Sequence, residues 1–322
     1  MKAMQLSTKK MKVAEIPKAV KKSAWIDIKK DWDLYLLLIP GILTLLLFKY
    51  TPMYGLIIAF QDYNIFTEGI MNNEWVGFAN FQRLFSTPEF VNVFKNTLII
   101  SISKVIFLFP LPILMALLMN EIKNLLFKKT VQTVIYLPHF ISWVIVYGLF
   151  VNLLSANDGI INTIIVALGG KPIAFFMDSS VFRPLLVFTE GWKETGWSTI
   201  VYLAAITGID QEQYEAARID GASKFQQIKS ITLPGIAPTI VLMFILRLGS
   251  ILEAGTEQIM VMYNPTVYNV ADVIGTYVVR VGLGTMDYSF STAVGPFNSV
   301  VAFILVVTGN YLAKKYTEKG IW

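Results

Sequence analysis

Six long apolar runs separated by polar segments set the pattern of this chain. A helix needs about 20 mostly apolar residues to cross roughly 30 Å of hydrocarbon at 1.5 Å per residue. Runs of that length lie at about 34–54, 97–119, 131–153, 185–206, 236–262 and 292–312, the fifth being the least uniform. None shows the alternation of apolar and polar residues that marks a barrel strand. The pattern therefore predicts an all-α, polytopic membrane protein with six transmembrane helices, which places both termini on the same side. The first run begins only at Leu34 and is long enough to stay in the bilayer, so no cleavable signal peptide is expected.

Two outer segments carry shorter helical patterns. Gly159–Leu168 (GIINTIIVAL) is too short to span and reads as a helix at the outer interface. Val270–Val281 (VADVIGTYVVRV) has helical spacing interrupted by Asp272 and Arg280, and is expected to pack over the outer face of the bundle. Both read as structural braces more readily than as recognition elements.

Composition agrees with a membrane protein and removes several alternatives. Of 322 residues 55% are apolar and 15% charged, against about 45–50% and about 25% in a soluble domain. Mean hydropathy is +0.57. Disorder needs the reverse balance. The absence of cysteine excludes disulfides, thiolate metal sites and cysteine nucleophiles, and the single histidine, His139, makes a metal site improbable and provides no serine-triad set. His139 is expected to be packed or hydrogen-bonded beside Pro138.

Charge placement sets the orientation. The tail 1–33 holds nine lysines, and segments 120–130, 207–235 and 313–322 hold three basic residues each. The intervening segments 61–93, 155–184 and 263–291 hold one, two and one. Basic residues collect on the cytoplasmic side, so the N- and C-termini and the 207–235 segment are expected there. Residues 1–33 form a basic cytoplasmic tail and 34–322 a membrane domain. Anionic lipid headgroups account for the tail's lysines without a nucleic-acid partner.

Charges inside the spans point to the pathway. Each costs roughly 2.5–3.5 kcal/mol at the centre of an inserted helix, so Glu190, Lys193 and Glu194 in the fourth span should face protein or water. Lys193 can pair with either glutamate. The functional alternative is a polar cavity wall that includes Trp192 and Trp197. In the fifth span Arg247 is either a salt-bridge partner for an acid on another helix or part of a polar, pliable stretch with Gly249, Ser250, Glu253, Gly255, Glu257 and Gln258. Lys49 and Lys104 can snorkel, and Pro110, Pro112 and Pro138 are expected to kink their helices.

The cytoplasmic segment Gly208–Gly235 is too elaborate for a plain connection, since helix–helix links usually take about 2–8 residues. Asp210 and Gln213 fit a capping box, Glu215, Ala216 and Ala217 lie on the helix it starts, and Asp220–Gly221 breaks that helix. A second helix follows through Phe225 and Ile228, with Pro234 where the fifth span begins. The expectation is two short helices joined by a bend, parallel to the membrane.

The stretch EAARIDGASKFQQIKSITLP (215–234) resembles the EAA loop of permease subunits of binding-protein-dependent ABC importers. It has Glu215, Ala216 and Ala217, the glycine four residues on (Gly221), and the closing Ile231, Leu233 and Pro234. WVGFANFQRLF from Trp75, FPLPILMALLMNEIK from Phe109, YLPHFISWV from Tyr136, GWKETGWSTIVYLAAI from Gly191 and YNPTVYNVADVIGTYVVRVGL from Tyr263 are similar to the carbohydrate branch of maltose-permease type, nearest to permeases for polysaccharides such as alginate. The similarity runs from about residue 30 to the C-terminus.

The resemblance implies an ABC type I importer permease-like fold in a bacterial plasma membrane, carrying oligosaccharides or polysaccharide fragments. It implies a coupling loop at 210–234 whose Glu215, Ala216, Ala217, Asp220, Gly221 and Ala222 dock on an ATPase. Implied partners are a second related permease in a heterodimer, two cytoplasmic ABC ATPases holding ATP and Mg, and an extracellular solute-binding protein. It also extends the substrate-path candidates (Glu190, Trp192, Lys193, Glu194, Trp197) to Glu253, Glu257 and Gln258. No catalytic residue is implied. The sequence agrees on one point independently: it has no G-x-x-x-x-G-K-[ST] phosphate loop, and its glycine–lysine pair, Gly170–Lys171, is followed by Pro172. An ion-coupled secondary transporter of a polar solute would need internal symmetry, of which no convincing repeat is seen. A membrane enzyme built on Glu190 and Glu194 would need a fuller catalytic set.

Overall fold

The computed structural model describes residues 32–317 and residue 320. The basic tail expected at 1–33 therefore lies outside the described residues up to position 31. The chain divides into two compact units, one ending at Gly55 and one beginning at Leu56. In the first, α1 (Trp32–Leu45) widens into a π-helical turn at Leu46–Tyr50 and buries no residue. Together with the 3-10 stretch that runs to Phe60 it makes a 29-residue apolar helix of mean hydropathy 1.8. Apolar residues all round from Trp32 to Tyr50, with none buried by protein, suit a helix whose solvent is lipid.

The second unit is almost entirely helical among the described residues. A two-residue hairpin pairs β1 (Gln61–Asp62) with β2 (Glu74–Trp75) antiparallel, and Asn80 locks it by donating to the Ala59 and Gln61 carbonyls at 3.1 and 3.0 Å. An amphipathic helix, α2 (Ala79–Ser86), leads into α3 (Pro88–Leu108) and α4 (Pro110–Asn120). The last two form one 33-residue apolar run, interrupted at Phe109 because Pro110 has no N–H to continue the ladder. Asn124 then caps α5 (Leu125–Tyr136) through the Phe127 amide.

The third expected span, 131–153, is not one helix. After α5 a 3-10 turn at Leu137–Phe140 contains Pro138, and Ser142 caps a new helix, α6 (Trp143–Leu154), by accepting from the Ile145 amide. The two arms meet at 105°. A proline followed by a strong N-cap ends one helix and starts another, so an apolar run of spanning length bends instead of continuing. The outer helix expected at 159–168 is α7 (Ile160–Ala167).

α8 (Ser179–Thr207) is longer than the 185–206 run, because Asp178 caps it beyond the apolar stretch. The Ser180 hydroxyl and amide both donate to Asp178 and hold its carboxyl below the usual range. Its charges exclude α8 from the four helices that qualify as spans by length and composition, Trp32–Phe60, Pro88–Asn120, Lys224–Gly249 and Tyr288–Lys315; the bent pair makes a fifth. α8 is nonetheless central, packing against α4, α5 and α3. Its Gly196 lies so close to α5 that a Cβ there would collide with the Ile135 carbonyl. Small residues of this kind let membrane helices meet backbone to backbone.

The 210–234 segment departs in part from the expected form. α9 (Gln211–Ile219) is capped by Asp210, which accepts from the Glu212 amide, while the reciprocal capping box sits at Ser223 and Gln226. α10 (Lys224–Gln227) is no separate surface helix. It passes through a π-turn at Ile228–Thr232 into α11 (Leu233–Gly249), giving one helix from Lys224 to Gly249. The π-turn explains how Pro234 is tolerated: the locally widened ladder accommodates a residue that cannot donate.

The fifth span also ends sooner than 236–262. α11 stops at Gly249, a 3-10 turn covers Ile251–Glu253, and α12 (Thr256–Met262) follows two successive left-handed residues, Ala254 (φ 50°) and Gly255 (φ 76°). Beyond it, the outer segment expected as one helix splits into α13 (Tyr268–Ala271) and α14 (Ile274–Gly284). Asp272 at the split receives Arg280 at 2.5 Å, and the same guanidinium reaches Glu89 at 2.9 Å. The last helix, α15 (Tyr288–Thr317), packs on α2, α11 and α14.

Three apolar clusters hold this unit. One joins Ile100, Trp143, Phe150, Phe182 and Ile259, and a second joins Leu84, Phe90, Ile274, Phe290 and Val294. A smaller one joins Ala116, Tyr202, Ile206 and Ile236. Many large apolar side chains face outward instead, including Phe107, Leu118, Leu149 and Phe303, as a lipid-facing surface requires.

Gly196→Ala should lower thermal stability in detergent by about 1–3 kcal/mol, the usual cost of overpacking. Gly148→Ala is the control, since its Cβ would meet nothing within 4 Å.

Candidate functional site

The intramembrane charges converge between α3, α8, α11 and α12. At 100° per residue, positions 190, 193, 194 and 197 of α8 share one face. Glu190 is 8% exposed. One of its oxygens meets the Lys104 ammonium of α3 at 2.5 Å and the other meets the Arg247 guanidinium of α11 at 2.8 Å. Removing one member of such a buried set costs about 3–5 kcal/mol, because the remaining charge is left without compensation. Lys104 is fully buried and does not snorkel. Of the two readings of Arg247, the structure shows the salt bridge to an acid on another helix.

Lys193 pairs with Glu194, at 3.1 Å, and not with Glu190. It also donates to the His139 carbonyl at 2.6 Å, taking up a group left free where the chain bends between α5 and α6. Glu194 accepts a 2.7 Å bond at His139 Nδ1, and the imidazole stacks on Trp197 with centroids 4.5 Å apart and planes 2° from parallel. His139 is therefore both packed and hydrogen-bonded, as expected.

Two adjoining cavities open beside these groups, the first polar and the second walled mostly by apolar surface that includes Leu108, Phe109 and Leu246. One, about 330 Å³, is lined by Glu190, Glu194, Arg247, Glu253, Glu257 and Gln258, with further residues of the 250–256 break. The other, about 260 Å³, shares Glu190, Glu194 and Arg247 and extends to Thr195, Ser198 and Tyr202. Glu253 and Glu257 are exposed. Gln258 is fully buried with both ends of its amide committed: it accepts from Lys104 at 2.6 Å and donates to the Leu186 carbonyl and Thr189 hydroxyl at 2.8 and 2.7 Å.

Of the eight path candidates, five line these cavities. Lys193 is buried behind Glu194. Trp197 packs on His139 and, edge-on, on Phe140. Trp192 does not belong with them, being two residues from Glu190 and so turned to another face of α8. There it packs edge-on against Phe150 and lines two apolar grooves. The role of Lys104 was not recognised from the sequence. Its signal was the polar series Thr97, Ser101 and Lys104 at helical spacing in an apolar run, all buried in the structure.

At the other end of the chain's long helix, the 210–234 segment forms a compact projection. α9 closes in a Schellman turn: the Ala222 amide bonds the Ala217 carbonyl at 2.8 Å and the Gly221 amide bonds Arg218 at 3.1 Å. Gly221 has φ +77° with nothing within 4 Å of its missing Cβ, so backbone conformation and not crowding demands glycine here. Tyr214 meets Thr232 at 2.9 Å and Lys224 meets Glu121 at 2.9 Å, fixing the inner face to the bundle. Glu215, Ala216, Asp220 and Gly221 are exposed, and Ala217 and Ala222 are half-buried. Two apolar residues that the sequence did not single out for docking, Ile219 and Phe225, stand 87% and 74% exposed among them.

Comparison with known proteins bears on this arrangement. Residues 109–314 match the model of the family described as binding-protein-dependent transport system inner membrane component. The chain is 45% identical to Protein LplB of Bacillus subtilis (strain 168) over 314 residues, covering 97% of this chain and 98% of that one. It is 48% identical over 305 residues to the polygalacturonan/rhamnogalacturonan transport system permease protein YteP of the same organism, covering 95% of each. Among solved structures, it matches a chain of a bacterial alginate ABC transporter crystallised with an alginate pentasaccharide-bound periplasmic protein. There the TM-score is 0.84 with 44% identity, over 92% of this chain and 99% of that one. With spanning helices, an interrupted fifth span beside a polar cavity and the EAA segment all in one chain, this protein belongs to the family of inner-membrane components of binding-protein-dependent transport systems.

Proposed function

We propose that this chain forms half of the pore of an ATP-driven importer of oligosaccharides or polysaccharide fragments. The second half would be a related permease. Two ABC ATPases would bind below, holding the ATP and Mg, while a solute-binding protein would deliver the glycan from outside. The chain itself would carry no cofactor and catalyse no reaction. The observation that carries this reading is the EAA segment: a rigidly capped projection presents Glu215, Ala216, Ile219 and Phe225 outward, in a chain without a phosphate loop of its own. Relatives named for polygalacturonan, rhamnogalacturonan and alginate support the glycan class.

The orientation proposed is six spans with both termini and the EAA segment cytoplasmic. Because the chain has no cysteine, single thiols report topology cleanly. A membrane-impermeant maleimide should label Glu68→Cys in intact cells and Glu215→Cys only after lysis.

Purification of the assembled complex should bring down an ATPase, and proteoliposomes should take up glycan only with ATP and loaded binding protein. Uptake by this chain alone, without nucleotide, would exclude the reading. Gly221→Val should reduce stimulation of ATP hydrolysis by loaded binding protein about tenfold, within the usual range for coupling between sites, while the complex still assembles. In the cavity, Glu253→Gln and Glu257→Gln should each weaken uptake about tenfold, as loss of a charged hydrogen-bond partner does. Trp192→Phe, away from both cavities, should leave uptake unchanged.

A further inference from the structure

The break between α11 and α12 is held from outside by one face of α3. Where the helical ladder stops, Ser250 and Gly255 keep amide donors from Glu253 and Ile259, but a carbonyl left without one inside a membrane must find another. Ser101 Oγ donates to the Ile251 carbonyl, and Lys104 Nζ donates to the Ala254 carbonyl at 2.8 Å. These two residues lie three apart on α3 and so share a face. The same ammonium reaches Gln258 Oε1, at the start of α12, at 2.6 Å and Glu190 on α8 at 2.5 Å.

Three donors are all a lysine has, so Lys104 has none left for a passing solute. Its partners also lie where the backbone is least usual. Ala254 is left-handed without being glycine, a conformation that persists only when its surroundings impose it. A Cβ on the adjacent Gly255 would run into the Lys104 ammonium. Glu253 within this clasped turn and Glu257 just beyond it face the 330 Å³ cavity.

We propose that Lys104 is a positioning residue for the transport path: with Ser101 it clasps the broken turn at 250–255 and thereby fixes Glu253 and Glu257 against the cavity. That these glutamates meet the glycan rests on the function proposed above; the clasp itself does not, and the two can be tested apart.

The test uses the assembled complex and the absence of cysteine from this chain. Leu252, buried in the clasped turn, is replaced by Leu252→Cys, and labelling of this chain by a water-soluble maleimide is timed. Adding Lys104→Met should raise that rate about tenfold or more, the scale set by losing charged hydrogen bonds. The rate at Ala116→Cys, buried in a separate cluster, should stay the same. An equal rise at both sites, meaning general loosening, or no rise at position 252, would overturn the proposal.

If Lys104→Met fails to assemble, Ser101→Ala decides. It should raise labelling at 252 about threefold, in keeping with a neutral hydrogen bond, and an unchanged rate would count against the clasp. Uptake supplies the second readout. In the Lys104→Met background, Glu253→Gln should have no further effect, whereas independent effects that simply add would refute positioning. A selective rise in labelling in a complex whose wild type takes up no glycan would leave the clasp standing and overturn the functional reading instead.

Discussion

A carboxylate in a low-dielectric interior needs a counter-charge, and Glu190 has two. Lys104 and Arg247 approach it from different helices, so one side chain on α8 fixes the relative placement of α3 and α11. Membrane helices gain little from apolar contact with each other, because lipid is equally apolar. Polar bonds and close backbone contacts therefore decide which helices meet, and α8 supplies both. On one face it holds the ion pairs, and at Gly196 it touches the backbone of α5. The Lys193–Glu194–His139 group repeats the arrangement one turn along, tying the bend after α5 to the same helix.

A second constraint follows from the first. Two runs long enough to span are broken, one at 137–142 and one at 250–255. Breaking a helix in hydrocarbon exposes carbonyls, and in both places a lysine ammonium answers one of them: Lys193 at His139 and Lys104 at Ala254. Two of the cations within the spans, Lys104 and Lys193, are thus bound up with the places where the backbone is irregular. Open to water in the cavity are the carboxylates of Glu194, Glu253 and Glu257 and part of the Arg247 side chain.

Much of this was legible from the sequence. Apolar runs located the main helices, Asp210 and Gly221 gave the limits of α9, and the charges at 190, 193 and 194, expected to face protein or water, lie against protein at Glu190 and Lys193 and beside the cavities at Glu194. Pairings were not legible where the partners are distant in sequence. Arg247 and Glu190 are 57 positions apart and His139 and Glu194 are 55 apart. Hydropathy also concealed the breaks, because a window average does not register a single proline with a cap behind it, as at Pro138 and Ser142. Conversely, Pro234 looked like a boundary but is absorbed by a π-turn inside a continuous helix. Trp192 was grouped with Trp197 by proximity along the chain, although helical geometry sends it to a different face.

From Lys224 to Gly249 that continuous helix is 26 residues long, or about 39 Å at 1.5 Å per residue. One end begins two residues past the Schellman turn at Gly221 and Ala222, on the exposed projection. The other ends where the backbone unwinds beside the cavity, with Arg247 on its final turn. The projection and the cavity are therefore opposite ends of a single helix. Between Lys224 and Ser250 the chain stays helical through the π-turn at Ile228–Thr232 and past Pro238, and the first non-helical turn it reaches is the one that Ser101 and Lys104 restrain.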